Sequence, residues 1–148
     1  MEQYLTFSLG AEQYGVDILR VQEIRGYAAA TPVPNTPRYV RGVMNLRGAI
    51  VPVLDLRDKL LGVAGTFTPV TAVVVVTVAG GKTHGLVVDS VTDVVEFDPS
   101  TIQPVPDFGA HVDTRCVRGL APGGEQLVAV LDLERVVAAD DAAAATPA

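Results

Sequence analysis

The sequence predicts an all-β fold of barrel or sandwich type, organised as two small, similar units packed together. Three observations carry that expectation. The first is an internal repeat: Val40 to Leu56, VRGVMNLRGAIVPVLDL, returns as Val117 to Leu133, VRGLAPGGEQLVAVLDL, with eight of seventeen positions identical. The second is an upstream echo in the same order, Gly15 to Ile24 against Gly85 to Val94, in which the glycine, the apolar pairs and the acidic residue stay in register. The offsets are 70 and 77 residues, so a short insertion separates the matched blocks in the second half; two blocks in one order point to duplication rather than coincidence. The third is the rhythm of short apolar runs broken by glycine and proline, with no long amphipathic helix.

Taken in order, Tyr4 to Leu9 and Gln13 to Ile18 read as strands joined by a Gly10-Ala11-Glu12 turn, with Leu5, Phe7 and Leu9 on one face. Ile18 to Ile24 has apolar residues at spacings that fit either a bent strand or a helical turn. Thr31 to Pro37 holds three prolines, which remove amide donors and fix φ, so it is an extended connector. Arg41-Gly42 is expected to turn, and Ala49 to Leu56 to be a strand in which Pro52 marks an edge or a bulge. Leu56 to Leu61 suits one helical turn ended by Gly62. In the second half, the β-branched run Ala72 to Val78 is a buried strand, Gly80-Gly81 a hairpin turn, and Thr83 to Asp89 and Val91 to Phe97 further strands. Asp98-Pro99-Ser100 turns the chain into a second proline-rich connector, Ile102 to Pro106, and the repeated motif leads to a terminal helical turn at Asp132 to Val137. Leu54 and Leu131 are expected at equivalent core positions, with a groove between the units as the place for a partner. The units span about 13–61 and 83–138 within a single domain of residues 1–139, and the tail 140–148, DDAAAATPA, has too little to bury and is expected to be disordered.

Composition excludes several function classes. At 148 residues the chain suffices for one domain that buries roughly two thirds of its unfolded surface, with no staple required. Its apolar runs fall short of the roughly 20 residues that span a bilayer, and the N-terminus lacks a basic secretion-signal region, so a cytoplasmic location without membrane insertion is expected. A net charge of −6 with scattered lysines and arginines argues against nucleic acid as a partner. Cys116 is the single cysteine, which rules out an internal disulfide and reads as a small buried residue.

No catalytic constellation emerges. His84 and His111 lack the companions of a zinc site, no nucleophile elbow or phosphate loop occurs, and no metal or cofactor is expected. Asp17, Glu23, Asp55, Asp89 and Asp93 read as exposed charges on strand ends rather than an acid and base pair, and Asp55 and Asp132 as acceptors for local amides. Arg47 is more informative: it stands among apolar or small residues and Gly124 takes its place in the repeat. Two readings stay open for it, a guanidinium tying down a turn or an interface hot spot. Glu23, between Val21 and Ile24, carries the same ambiguity.

These residues carry a resemblance. VQEIRGY at Val21 to Tyr27, PNTP at Pro34 to Pro37, RGVMNLRGAIVPVLDLR at Arg41 to Arg57, GLVVDSVTDVVEF at Gly85 to Phe97 and the closing VRGL and LVAVLDLERV resemble the CheW-type coupling proteins of bacterial chemotaxis. The resemblance implies two intertwined SH3-like, five-stranded β subdomains, no enzymatic activity, and a scaffold joining chemoreceptor tips to the regulatory domain of a histidine kinase in receptor arrays. It implies receptor-side roles for Val21, Glu23, Ile24 and Arg47, and a kinase-coupling role for Gly42, where glycine also serves backbone conformation. A coupling module of a non-flagellar pathway, controlling surface motility or gene expression, would look the same in sequence.

Overall fold

The computed structural model describes residues 1–63, 65–106, 115–123 and 126–137. His111, Gly124 and the tail 140–148 lie outside the described residues. Among the described residues ten strands run in order: β1 (Glu2–Leu9), β2 (Glu12–Asp17), β3 (Val21–Gly26), β4 (Val40–Leu46), β5 (Ala49–Asp55), β6 (Ala72–Thr77), β7 (Thr83–Val88), β8 (Ser90–Phe97), β9 (Val117–Gly123) and β10 (Gln126–Leu131). They form two five-stranded sheets, β8-β1-β2-β10-β9 and β3-β6-β7-β5-β4.

The duplication is visible as an exchange. Within each half the first two strands leave their own half and join the last three of the other, so β1 and β2 pair into one sheet with β8, β9 and β10, and β6 and β7 into the other with β3, β4 and β5. The two matched sequence blocks meet each other in parallel ladders, Val53 beside Gly85 in one sheet and Val130 beside Gly15 in the other. Each barrel is drawn closed by a connector: Thr31 and Val43 exchange backbone hydrogen bonds of 2.9 Å, and Gln103 and Leu120 exchange bonds of 2.8 Å.

Alternation along the central strands explains three cores. Side chains on a strand point to opposite faces, and β6 is apolar at every second position on both of them. Val73 and Val75 join Leu46, Val51, Val53 and Val87 inside one barrel, while Val74 and Val76 face the other sheet. Tyr4, Phe97, Ala121, Val128 and Val130 fill the second barrel. The core between the sheets takes Leu5, Phe7 and Leu9 from β1 together with Leu54, Leu86 and Leu131, so Leu54 and Leu131 do hold equivalent places. Leu54→Ala and Leu131→Ala should each cost about 2–5 kcal/mol in urea unfolding, because both leave cavities in the same interface. A loss in one variant alone would show that the two positions are not equivalent.

The local expectations fare unevenly. Leu56–Leu61 is the helix α1, capped by the Asp55 side chain on the Arg57 amide and ended by Gly62 at φ 70°. Ile18–Arg20 is a 3-10 turn before β3, which resolves the ambiguous stretch as a turn followed by a strand. The proposed Arg41-Gly42 turn is corrected: both residues lie inside β4, and a bulge opposite Leu54 and Val53 takes up the irregularity. Pro52 is corrected too, since β5 is an interior strand and the bulge falls on its neighbour; the ladder to β7 begins one residue later, at Val53. Cys116 is half-buried rather than buried, packed against the core between the sheets.

Candidate functional site

The β4–β5 hairpin turns through Arg47 and Gly48 with φ of 53° and 89°. A two-residue turn with both φ values positive matches the twist of its strands and favours Asn-Gly or Gly-Gly; Asn45 Oδ1 accepts from the Gly48 amide at 2.8 Å. Arginine is a poor choice at such a position, where a β-carbon crowds the backbone at a cost of about 1–2 kcal/mol. Its guanidinium binds the facing edge strand, Arg47 Nη2 to Glu23 Oε2 at 2.6 Å, with the Arg47 side chain 76% and that of Glu23 19% exposed. Arg25 Nε approaches the other Glu23 oxygen at 3.8 Å. An exposed ion pair returns at most about 1 kcal/mol. The pair therefore does not repay the backbone strain, and stability alone gives no reason for arginine at this tip. Strain of this kind points to function.

The structure brings Glu23 and Arg47 together and sets the other two residues apart from them. A bulge after Val21 shifts the register of β3, so Val21 lies opposite Val76 and Ile24 opposite Val74 on the face toward the other sheet, whereas Glu23 lies opposite Val75. Val21 is half-buried against the shared core, and Ile24 is 46% exposed. Ile50, three residues beyond Arg47, is also exposed and adds apolar surface to the hairpin.

Gly42 sits where the connector crosses β4. A β-carbon there would overlap the Thr31 carbonyl oxygen and lie 2.5 Å from its carbon and 2.9 Å from Pro32 Cα, with φ at 132°. Its repeat counterpart Gly119 has the same relation to the second connector, with Ile102 Cγ2 2.5 Å and the Gln103 oxygen 2.7 Å from such a β-carbon. Both glycines permit barrel closure, and Gly42 contributes backbone rather than a side chain to any surface.

A buried ionic cluster was missed by reading the sequence. Asp55, expected as an exposed charge, is fully buried, and so is Arg57. Arg57 donates from Nε to Asp55 Oδ1 at 3.0 Å and from Nη2 to Oδ2 at 2.9 Å, while its Nη1 reaches Asp89 Oδ1 at 3.1 Å. Arg41 adds Nη2 to Asp55 Oδ2 at 3.0 Å, and Arg38 binds Asp58 at 2.8 Å. Burial alone would raise the Asp55 pKa, but hydrogen bonds and charge from Arg57 and Arg41 outweigh it and hold the carboxyl below its ordinary value. Hydrogen bonding to Asp55 raises that of Arg57 against its own desolvation. The expectation of local amide bonding holds for Asp55, which accepts the Arg57 amide, and for Asp132, which accepts that of Arg135. Arg57 could have been found from one signal: the repeats run LDLR and LDLE, so Glu134 reverses its charge inside an otherwise duplicated motif.

An open cleft of about 510 Å³ lies on the outer side of the second barrel, lined by Thr101, Pro104, Pro106, Leu120, Pro122 and Leu127. Among the described residues, no three of His, Cys, Asp and Glu gather as a metal site would require, and no helix is long and apolar enough to cross a membrane. His84 is buried in β7 opposite Val76.

Comparison with known proteins agrees with this geometry. The CheW-like domain family model matches residues 3–141. The chain is 40% identical to the chemotaxis protein CheW of Klebsiella aerogenes over 96% of this chain and 85% of that one. It is 33% identical to the chemotaxis protein CheW of Rhizobium meliloti over 97% and 92%. The crystal structure of the scaffolding protein TtCheW from Thermoanaerobacter tengcongensis superposes with a TM-score of 0.80 at 32% identity, covering 89% of this chain and 84% of that one. With two strand-exchanged five-stranded sheets and a match over nearly its whole length, the chain belongs to the CheW-like domain family.

Proposed function

We propose that this protein is a non-catalytic adaptor of bacterial chemotaxis that couples the cytoplasmic tips of chemoreceptors to the regulatory domain of the chemotaxis histidine kinase. The reading rests on family membership and on one observation above all, the strained, exposed Arg47 held by Glu23 across the barrel edge. The receptor's helical tip is gripped by that pair together with Ile24 and Val21. A charged tip with an exposed apolar neighbour, as Arg47 has in Ile50, is how interface hot spots are built. Gly42 acts on kinase coupling through the backbone path that it permits beside Thr31. The protein is recruited in this way to membrane-associated receptor arrays, where several modest contacts act together and raise effective concentration.

Three variants test the site by binding of a purified receptor cytoplasmic fragment and of the kinase. Arg47→Ala and Glu23→Ala should weaken receptor binding about tenfold or more while kinase binding persists. Arg47→Gly should lose receptor binding equally but unfold no earlier on heating than the wild type, since glycine suits the positive φ. Unfolding of the Arg47 variants, or full receptor binding by them, would return Arg47 to a structural role. A wild type that binds neither partner would overturn the adaptor reading itself.

A further inference from the structure

The ionic cluster around Arg57 is a place in the interior where the pseudo-symmetry of the two halves breaks. In the second half the equivalents of Asp55 and Arg57 are Asp132 and Glu134. Their side chains are 31% and 43% exposed, and they pair with Arg135 at 3.7 Å and with Arg20 at 2.9 Å. Around Arg57 the chain closes a strap. The Thr66 carbonyl accepts from Nη1 at 2.6 Å, the Phe67 ring lies 4.8 Å from Cζ, and a β-carbon at Gly65 would sit 2.5 Å from the guanidinium. Phe67 in turn stacks on Tyr27, just beyond β3, at 4.3 Å.

The cluster also crosses between the sheets. Asp89, at the step from β7 to β8, gives one oxygen to Arg57 and the other to the amide of Gly10 in the β1–β2 turn at 2.7 Å, while its own amide donates to Ser8 at 3.1 Å. One carboxylate therefore separates the α1 guanidinium, held by Asp55 at the end of β5, from the hairpin turn of the opposite sheet. Most of the remaining contact between the sheets is apolar, with Leu and Val side chains joined by Phe7 and Ala72, and such burial is non-directional and tolerates rotation of one sheet over the other. A planar guanidinium with paired donors does not.

We propose that Arg57 is a positioning residue whose buried guanidinium, through Asp89, pins the β1–β2 turn of one sheet to β5 of the other and fixes the angle between the sheets on which receptor-to-kinase coupling depends. The coupling half of this statement rests on the adaptor reading above. Arg57 is buried and offers no surface to a partner, so its loss should leave the receptor grip intact.

The experiment uses the full chain in a Cys116→Ser background, spin-labelled at Glu96→Cys on one sheet and Ala49→Cys on the other. Inter-label distances are measured alongside receptor-fragment affinity and kinase activation. Asp89→Asn and Gly65→Ala are the decisive variants, because Arg57→Leu strands buried carboxylates and puts folding itself at risk. In folded Asp89→Asn and Gly65→Ala proteins the distance distribution should shift or broaden, receptor affinity should stay unchanged, and kinase activation should fall about tenfold or more. An unchanged distribution in both would overturn the pin. A changed distribution with full activation would overturn its part in coupling. If the wild type itself fails to engage receptor and kinase, the adaptor reading fails while the distances still decide the pin.

Discussion

Replacing Gly42 with alanine should cost about 4 kcal/mol or more of folding stability, a loss at the upper end of what single substitutions do. Two penalties add there: a β-carbon driven into Thr31 and Pro32, and a φ of 132° that only glycine adopts readily. Two alanine controls separate them. Gly48→Ala has a φ of 89° with nothing within 4 Å of the new carbon, so it carries strain alone and should cost about 1 kcal/mol. Gly119→Ala meets Ile102 and Gln103 without a positive φ and carries the close approach alone. Urea unfolding of the three variants reads the ranking Gly42, then Gly119, then Gly48. Equal losses at Gly42 and Gly48 would show that the connector does not press on β4.

Asp55→Asn should be the second large effect, about 3–5 kcal/mol, because it leaves the fully buried Arg57 and the neighbouring Arg41 without their shared counter-charge. Its pH signature is specific. The folded-state pKa of Asp55 is depressed below an unfolded value near 3.9. The stability it contributes is therefore complete above about pH 4 and is lost as pH falls through the lower folded value. In acid titrations followed by circular dichroism, the gap between wild type and Asp55→Asn should be widest near neutrality and narrow below about pH 4. A gap that stays constant into acid would mean that the carboxylate's charge is not what the cluster needs.

The architecture was legible in the sequence wherever one short-range rule governed it. The offset of 77 residues carries Leu54 to Leu131 and Gly42 to Gly119, and the structure repeats the core place, the bulge and the close approach at each pair. The exchange of strands between halves was not legible in the residue pattern, because alternation says which face of β6 is apolar and nothing about which strand lies beside it. Gly42 looked like a turn because glycine marks both turns and close approaches, and only the path of a connector ten residues upstream tells the two apart. At the site, Arg47 stood out by its apolar surroundings, but its strain depends on a turn type that sequence alone left unassigned. Arg57 was invisible for the opposite reason. An arginine after a strand is usually solvated, and its burial is dictated by Asp89 and Thr66, 32 and 9 residues away.

Strand exchange also sets a timetable for synthesis. Every strand of the β3-β6-β7-β5-β4 sheet lies between Val21 and Val88, so that sheet is complete once the chain has emerged that far. The β1–β2 hairpin is made first, yet it waits for β8 and β10, which flank it in the finished sheet. Pairings this distant in sequence form slowly, and an unpaired hairpin with Leu5, Phe7 and Leu9 on one face is the surface most exposed to aggregation in the meantime. The earliest strands of this domain are thus the last to be sheltered, and they depend on strands made much later to cover them.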